Sequence, residues 1–205
     1  MKRDDRRRRS GSRLLLLVAA LLSPAVLSAQ TVELELAPDA TEIELSLRAT
    51  LHKVTGTADL ERGRLLFDPE AGTVEGEVVI DASSVDTGNA RRDRKMHADV
   101  LESERYESIE LHPRRLLDPV AEGESATVRL SAEILIHGDR HEVELPVEVD
   151  WQGETLRYRL DFAIPYVEWG MEDPSTFLLK VAKEVEVSIR GSGTVDRSLG
   201  ESVEP

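Results

Sequence analysis

From residue 31 onward the chain alternates apolar and polar positions with a period of two. Val32, Leu34 and Leu36 share one face of 31–37. Ile43, Leu45 and Leu47 share one face of 42–49, with Glu44, Ser46 and Arg48 opposite. The same beat runs through 73–81 (Val74, Val78, Ile80), 126–136 (Val128, Leu130, Ala132, Ile134, Ile136) and 142–151 (Val143, Leu145, Val147, Val149, Trp151). It returns in 155–164 (Leu156, Tyr158, Leu160, Phe162, Ile164) and 184–190 (Val185, Val187, Ile189). Successive side chains of a strand point to opposite faces, so strict alternation predicts strands with one dry and one wet face. That pattern belongs to antiparallel sheets, because strands covered on both faces read as continuous apolar runs.

Turn chemistry falls between these segments. Pro38-Asp39 separates the first two, Asp68-Pro69-Glu70-Ala71-Gly72 precedes the third, and Glu122-Gly123-Glu124 precedes 126–136. His137-Gly138-Asp139-Arg140 and Gln152-Gly153 read as tight hairpins. Eight or nine such strands predict a sandwich or an up-and-down barrel. One segment, 89–101 (NARRDRKMHADVL), lacks alternation and is rich in helix formers. Met96, Val100 and Leu101 fall near one helical face. It predicts a helix of about three turns that crosses the sheet or closes one end of a barrel.

The N-terminus is organised differently. Seven basic residues lie within 1–13, an apolar run covers 14–22, Pro24 breaks its continuation, and Ser28-Ala29-Gln30 follows. A basic head, a short apolar middle and a small-residue exit predict a signal peptide over 1–29. The run is too short to span a bilayer. The expected organisation is therefore a signal peptide (1–29), one barrel domain (30–197) and a loose polar tail (198–205), with the protein in the periplasm or secreted. With no cysteine in the chain, neither a lipid anchor at Gln30 nor a disulfide is available, and the core alone must carry stability.

The net charge is −14, and losing seven basic and two acidic residues with 1–29 would move it to −19. Such a surface repels nucleic acid and anionic membranes, which excludes nucleic-acid partners. The outward strand positions carry Glu, Arg, Asp and Ser instead of an apolar band, which argues against an outer-membrane barrel. Catalytic chemistry finds little footing, since there is no cysteine and no G-x-S-x-G elbow. His137 and His141 are four apart, but Gly138-Asp139 between them is a turn. The spacing therefore does not stack two rings on a helix face, and no metal or cofactor is expected.

The stretch Ser83-Ser84-Val85-Asp86-Thr87-Gly88-Asn89, followed by Arg92-Asp93, resembles the signature of the YceI family. Tyr106 to Leu111, Ile134-Leu135-Ile136-His137-Gly138, Val143-Glu144-Leu145-Pro146-Val147 and Trp169-Gly170-Met171-Glu172-Asp173-Pro174-Ser175 follow in the family's order. Together they cover about 31–193. Lys95, Met96, Leu101 and Glu107 depart from the common form. The resemblance implies an all-β, lipocalin-like antiparallel barrel of about eight strands with a short helix at one end. It implies a non-catalytic role: holding an isoprenoid quinone, a polyprenyl chain or a fatty acyl chain in its interior. The ligand-contacting residues implied are Leu45, Leu47, Val78, Ile80, Arg92, Met96, Ile134, Leu145, Val147, Leu160, Phe162 and Trp169. Taken singly, each inward apolar residue reads as core; the resemblance is what turns the set into a cavity lining. Arg92 and Asp93 read equally as charges that pin the helix. A homodimer is compatible with the resemblance, and no exposed apolar stripe demands one. The alternative is an envelope interaction protein whose barrel is filled by its own side chains.

Overall fold

The computed structural model describes residues 31–50, 52–68, 71–118, 123–177 and 179–196. The strands are β1 (Val32–Leu36), β2 (Glu42–Arg48), β3 (Lys53–Asp68), β4 (Thr73–Asp86), β5 (Ser108–Leu116), β6 (Ala126–Ile136), β7 (Asp139–Gln152), β8 (Thr155–Ile164) and β9 (Val185–Asp196). The helix α1 (Ala90–Lys95) is prolonged by one π-helical turn, Met96–Val100. The expected signal peptide and tail lie outside the described residues.

All strands pair antiparallel, and the sheet closes through β3 with β4. β1 and β2 both pair with β3 and with β9, at different heights. Glu33 to Leu36 face Asp196 to Gly193, whereas Glu42 to Ser46 face Arg190 to Glu186. They are two halves of one stave, interrupted by a 3-10 turn at Pro38–Ala40. Pro38-Asp39 thus offsets the chain without reversing it. Pro fits there because its fixed φ suits the first position of a helical turn and its missing N–H is not needed. The result is a closed antiparallel barrel of eight staves. Eight strands enclose an interior just wide enough for side chains or one small ligand.

The alternation read from sequence maps directly onto inside and outside. In β6, Val128, Leu130, Ala132, Ile134 and Ile136 are all buried, and the last four belong to one core cluster. Periodicity reveals neither β5, reached only through the family resemblance at Tyr106 to Leu111, nor β3. Val54, Ala58 and Leu60 face inward, and then a register shift between Leu60 and Arg62 moves the inward set to Gly63, Leu65 and Phe67. A bulge adds one residue to one strand and so flips the phase of everything beyond it. The β6–β7 hairpin turns at His137-Gly138, both at positive φ (52° and 82°), as a two-residue turn matched to strand twist demands. Outside, ion pairs such as Arg62–Glu77 (3.1 Å) and Arg190–Glu44 (3.3 Å) cross between neighbouring strands. Exposed pairs of this kind contribute at most about 1 kcal/mol each. They mark the wet face more than they hold the fold.

Candidate functional site

The interior is not filled by side chains. At the helix-bearing end lies a cavity of about 500 Å³. A second space of about 140 Å³ lies deeper in the barrel, walled by residues such as Leu34, Phe67, Val74, Leu130 and Trp151. The upper wall is assembled from distant parts of the chain: Leu45 and Leu47 of β2, Val54 of β3, Val85 of β4, Ile136 of β6, and Val185 and Val187 of β9. Met96, Val100 and Leu101 face it from the helix. The π turn explains how all three reach it. Leu101 N–H donates to the Met96 carbonyl (2.8 Å), a five-residue step that brings Leu101 beneath Met96, where an α-helix would carry it aside. The loop after β8 adds Tyr166, Met171, Pro174, Leu179 and Val181 to the wall.

Of the residues expected to touch a ligand, Leu45, Leu47, Met96 and Arg92 line the upper cavity, and Val78, Ile80, Val147 and Leu160 line the lower one. Ile134 and Leu145 are fully packed in the core, and Phe162 is partly buried against it. Trp169 stacks flat on His141 of β7, with ring centroids 4.1 Å apart and planes 4° apart. β7 and β8 pair only over 148–152 and 155–159, so their upper halves are not joined by a ladder. Trp169 bridges from the chain following β8 back to β7 on that splayed side. Sequence reasoning missed Val85, Tyr166, Met171, Val181 and Val187 as cavity wall. Val187 carried the strand signal, but the loop residues carry no period at all.

Polar groups inside are few; among the described residues the buried Ser46 hydroxyl on the upper wall has no hydrogen-bond partner, whereas the two tyrosines do. In the lower space the Thr41 hydroxyl donates to the Ala37 carbonyl (2.8 Å), so Tyr158 Oη donates to Thr41 Oγ1 (2.7 Å). Burial pushes the Tyr158 hydroxyl above its ordinary pKa. Tyr166 Oη donates to the Ala182 carbonyl (2.8 Å), and burial, with help from Asp173, raises its pKa to about 12. Neither is poised to exchange protons near neutrality.

The mouth is framed by a knot at the start of the helix. Asn89 caps it, its Oδ1 accepting from Arg91 N–H (3.1 Å) and Arg92 N–H (3.2 Å). The Asp93 carboxylate accepts from Thr87 N–H (3.2 Å), Asn89 N–H (3.1 Å) and the Thr87 hydroxyl. Arg92 donates through Nε to Thr87 Oγ1 (2.6 Å) and through Nη2 to the Thr87 carbonyl (2.9 Å). Arg92 and Asp93 are therefore joined through Thr87, pinning the helix to the end of β4. Burial raises the Asp93 carboxyl's pKa, and the donors from Thr87 and Asn89 outweigh this to hold it below its ordinary 3.8. Asp93→Ala strands those donors and is expected to destabilise the fold by about 2 kcal/mol at neutral pH. Because the folded pKa is lowered, Asp93's contribution is complete above the ordinary value and fades as pH drops below 3.8 towards the folded value. Urea unfolding of the two proteins at pH 7 and again below pH 4 should show the gap closing; a gap independent of pH would contradict this assignment.

His97 tightens the same knot. Its Nε2 faces the Val85 carbonyl (2.9 Å) and must donate, which leaves Nδ1 to accept from the buried Ser103 hydroxyl (3.0 Å). A serine beside a histidine suggests a nucleophile, but Ser103 is buried and the ring's other nitrogen is tied to a backbone carbonyl. The arrangement is structural. Among the described residues, Glu77, Glu110 and His112 bring metal-type ligand atoms within 4.8 Å of one another. They sit on the outer face of β4 and β5, where Arg62 already holds Glu77 and Ser108 holds Glu110.

The sequence profile of the YceI-like domain family matches residues 34–192. No curated protein matches the chain. Among solved structures, similar folds include a polyisoprenoid-binding domain from Saccharophagus degradans implicated in plant cell wall breakdown. It is 16% identical, with a TM-score of 0.61, over 80% of this chain and 98% of that one. BcnA of Burkholderia cenocepacia is 16% identical, with a TM-score of 0.62, over 78% and 99%. A YceI protein of Campylobacter jejuni is 15% identical, with a TM-score of 0.50, over 72% and 84%.

Proposed function

Since the chain belongs to the YceI-like domain family, we propose that it is an exported, non-catalytic binder of a long apolar lipid held lengthwise in the barrel. The observation that carries this reading is the cavity of about 500 Å³ at the helix end, whose wall is mainly apolar, with its charged groups confined to the helix side. An apolar chain gains about 0.8 kcal/mol for each methylene withdrawn from water. About ten methylenes would supply roughly 8 kcal/mol, the scale of micromolar affinity, without any directional chemistry. The lower space at about 140 Å³ extends the path for a chain end. The likeness to a polyisoprenoid-binding domain supports an isoprenoid quinone or polyprenyl chain, and a fatty acyl chain fits the same wall. The N-terminal basic and apolar run supports export to the periplasm or beyond.

A barrel serving only as an interaction scaffold would be packed solid; the open interior favours the binder over it. The test is native mass spectrometry of the protein purified from its own host, followed by solvent extraction. A bound species of defined mass that extracts as a polyprenyl or acyl chain is expected. A clean apo mass, with no uptake of added isoprenoid, would overturn the reading.

A further inference from the structure

Among the described residues, two large apolar side chains are exposed, Phe177 at 93% and Leu179 at 37%. Both sit on one turn at the mouth of the upper cavity, and Leu179 also lines the cavity wall. The turn is built to project. Thr176 N–H donates to the Leu179 carbonyl (2.7 Å) and Leu179 N–H to Thr176 Oγ1 (3.1 Å). Its base is tied to the connection between β2 and β3. Thr50 N–H donates to the Lys180 carbonyl (2.9 Å), Lys180 N–H donates to Thr50 Oγ1 (2.8 Å), and Ala49 bridges Val181. A fully solvated phenylalanine held this way buries nothing in the protein itself, and exposed apolar groups beside a cavity mark an interaction surface.

The charge around the mouth identifies the partner. The chain is strongly acidic, with 40 acidic against 26 basic residues. The lining of this cavity nevertheless includes Arg91, Arg92 and Lys95 and no acidic side chain. Among the described residues, Arg91 and Arg92 have no carboxylate within ion-pairing distance, and Lys95 reaches Asp99 only at 4.0 Å. Lys180 stands beside the apolar turn. Asp173 on the same loop interacts with Lys180, but the helix side of the mouth carries only cations, and an apolar tip beside such a basic rim is the arrangement that inserts at an anionic lipid surface.

We propose that Phe177, Leu179 and Lys180, with the basic rim of the helix, seat the cavity mouth on an anionic bilayer. The apolar ligand then passes between membrane and barrel without crossing water. This rests on the reading of the cavity as a lipid site, and it adds where loading occurs. The overall negative charge then keeps every other face of the protein off the membrane and so sets the orientation.

The test uses protein purified from its host and vesicles of phosphatidylcholine with phosphatidylglycerol. Phe177→Trp is expected to show a blue-shifted emission component, over the Trp151 and Trp169 background, that is quenched by bromine-labelled acyl chains. Phe177→Asp is expected to slow lipid transfer to vesicles about tenfold. It should leave the amount of lipid bound at equilibrium unchanged, because Phe177 lies off the cavity wall. Leaving out phosphatidylglycerol should weaken vesicle association of the wild type. An unquenched Phe177→Trp, or a Phe177→Asp that transfers lipid at the wild-type rate, overturns the docking surface. Quenching by a protein that holds no lipid supports the docking surface and counts against the carrier reading alone.

Discussion

Leu45→Trp is expected to weaken binding of a long-chain isoprenoid about 100-fold while leaving the barrel folded. Leu45 stands opposite Gly56 of β3 and Val187 of β9, and its side chain forms part of the upper cavity wall. It faces inward yet is only partly buried, because what lies in front of it is open space. Ile43, two residues further from the mouth on the same face, is fully buried. An indole at position 45 would occupy room that about four methylenes of a ligand would use. The lost transfer free energy is about 3 kcal/mol, or about two powers of ten in affinity. Because the ring enters a void, overpacking strain should be small, and the unfolding midpoint should stay close to wild type. Titration of a fluorescent isoprenoid with both proteins measures the effect. Unchanged affinity with an intact fold would show that the ligand does not occupy this cavity.

Gly76→Ala should be the most damaging single-methyl change in the barrel. Gly76 lies in β4 at φ 119°, a backbone region that side-chain-bearing residues avoid. It sits where the pairing of β4 with β5 shifts register between Thr73 and Val78, so the strand bends there. A Cβ on it would overlap the carbonyl oxygen of Arg64, a backbone atom of β3 that cannot swing aside. Adverse dihedrals contribute about 1–3 kcal/mol and the forced overlap about as much again. A total near 4 kcal/mol would lower Tm by about 10 °C for a chain of this size. Differential scanning calorimetry reads this directly, and a shift below about 2 °C would mean that β3 and β4 separate there at little cost.

These two positions also mark the boundary between what the sequence dictates and what the fold adds. Position 76 interrupts the inward series Val74, Val78, Ile80, and the gap was legible as a glycine. That it answers to a carbonyl of β3 was not legible, because the register of β3 against β4 is a contact between strands. β3 itself escaped the period-two reading for a related reason: the bulge past Leu60 shifts its phase midway, and the inward positions Gly56, Ala58 and Gly63 are too small to stand out as apolar. Likewise Pro38-Asp39 announces a break between β1 and β2, but whether the chain reverses or continues as one stave depends on both halves finding β3 and β9.

The candidate site divides the same way. Alternation named Leu45, Leu47, Val78, Ile80, Ile134, Leu145, Val147 and Leu160 as inward without distinguishing cavity from core. Ile134 and Leu145 meet packed neighbours, whereas Leu45 and Leu47 meet space. The helix over 89–101 was legible from its lack of alternation, but the π turn that adds Leu101 to its cavity face was not. For the strands with unbroken alternation, strand identity and the inward face, together with the hairpin turns and the helix, are local properties, set by periods of a few residues and by turn chemistry, and the sequence alone determined them. Closure into eight staves, the wall contributed by Tyr166 and Met171, the stacking of Trp169 on His141 and the size of the void were decided only by the tertiary structure. Each depends on summed side-chain volumes and on registers between segments as far apart as Glu33 and Asp196, and no local period along the chain records those.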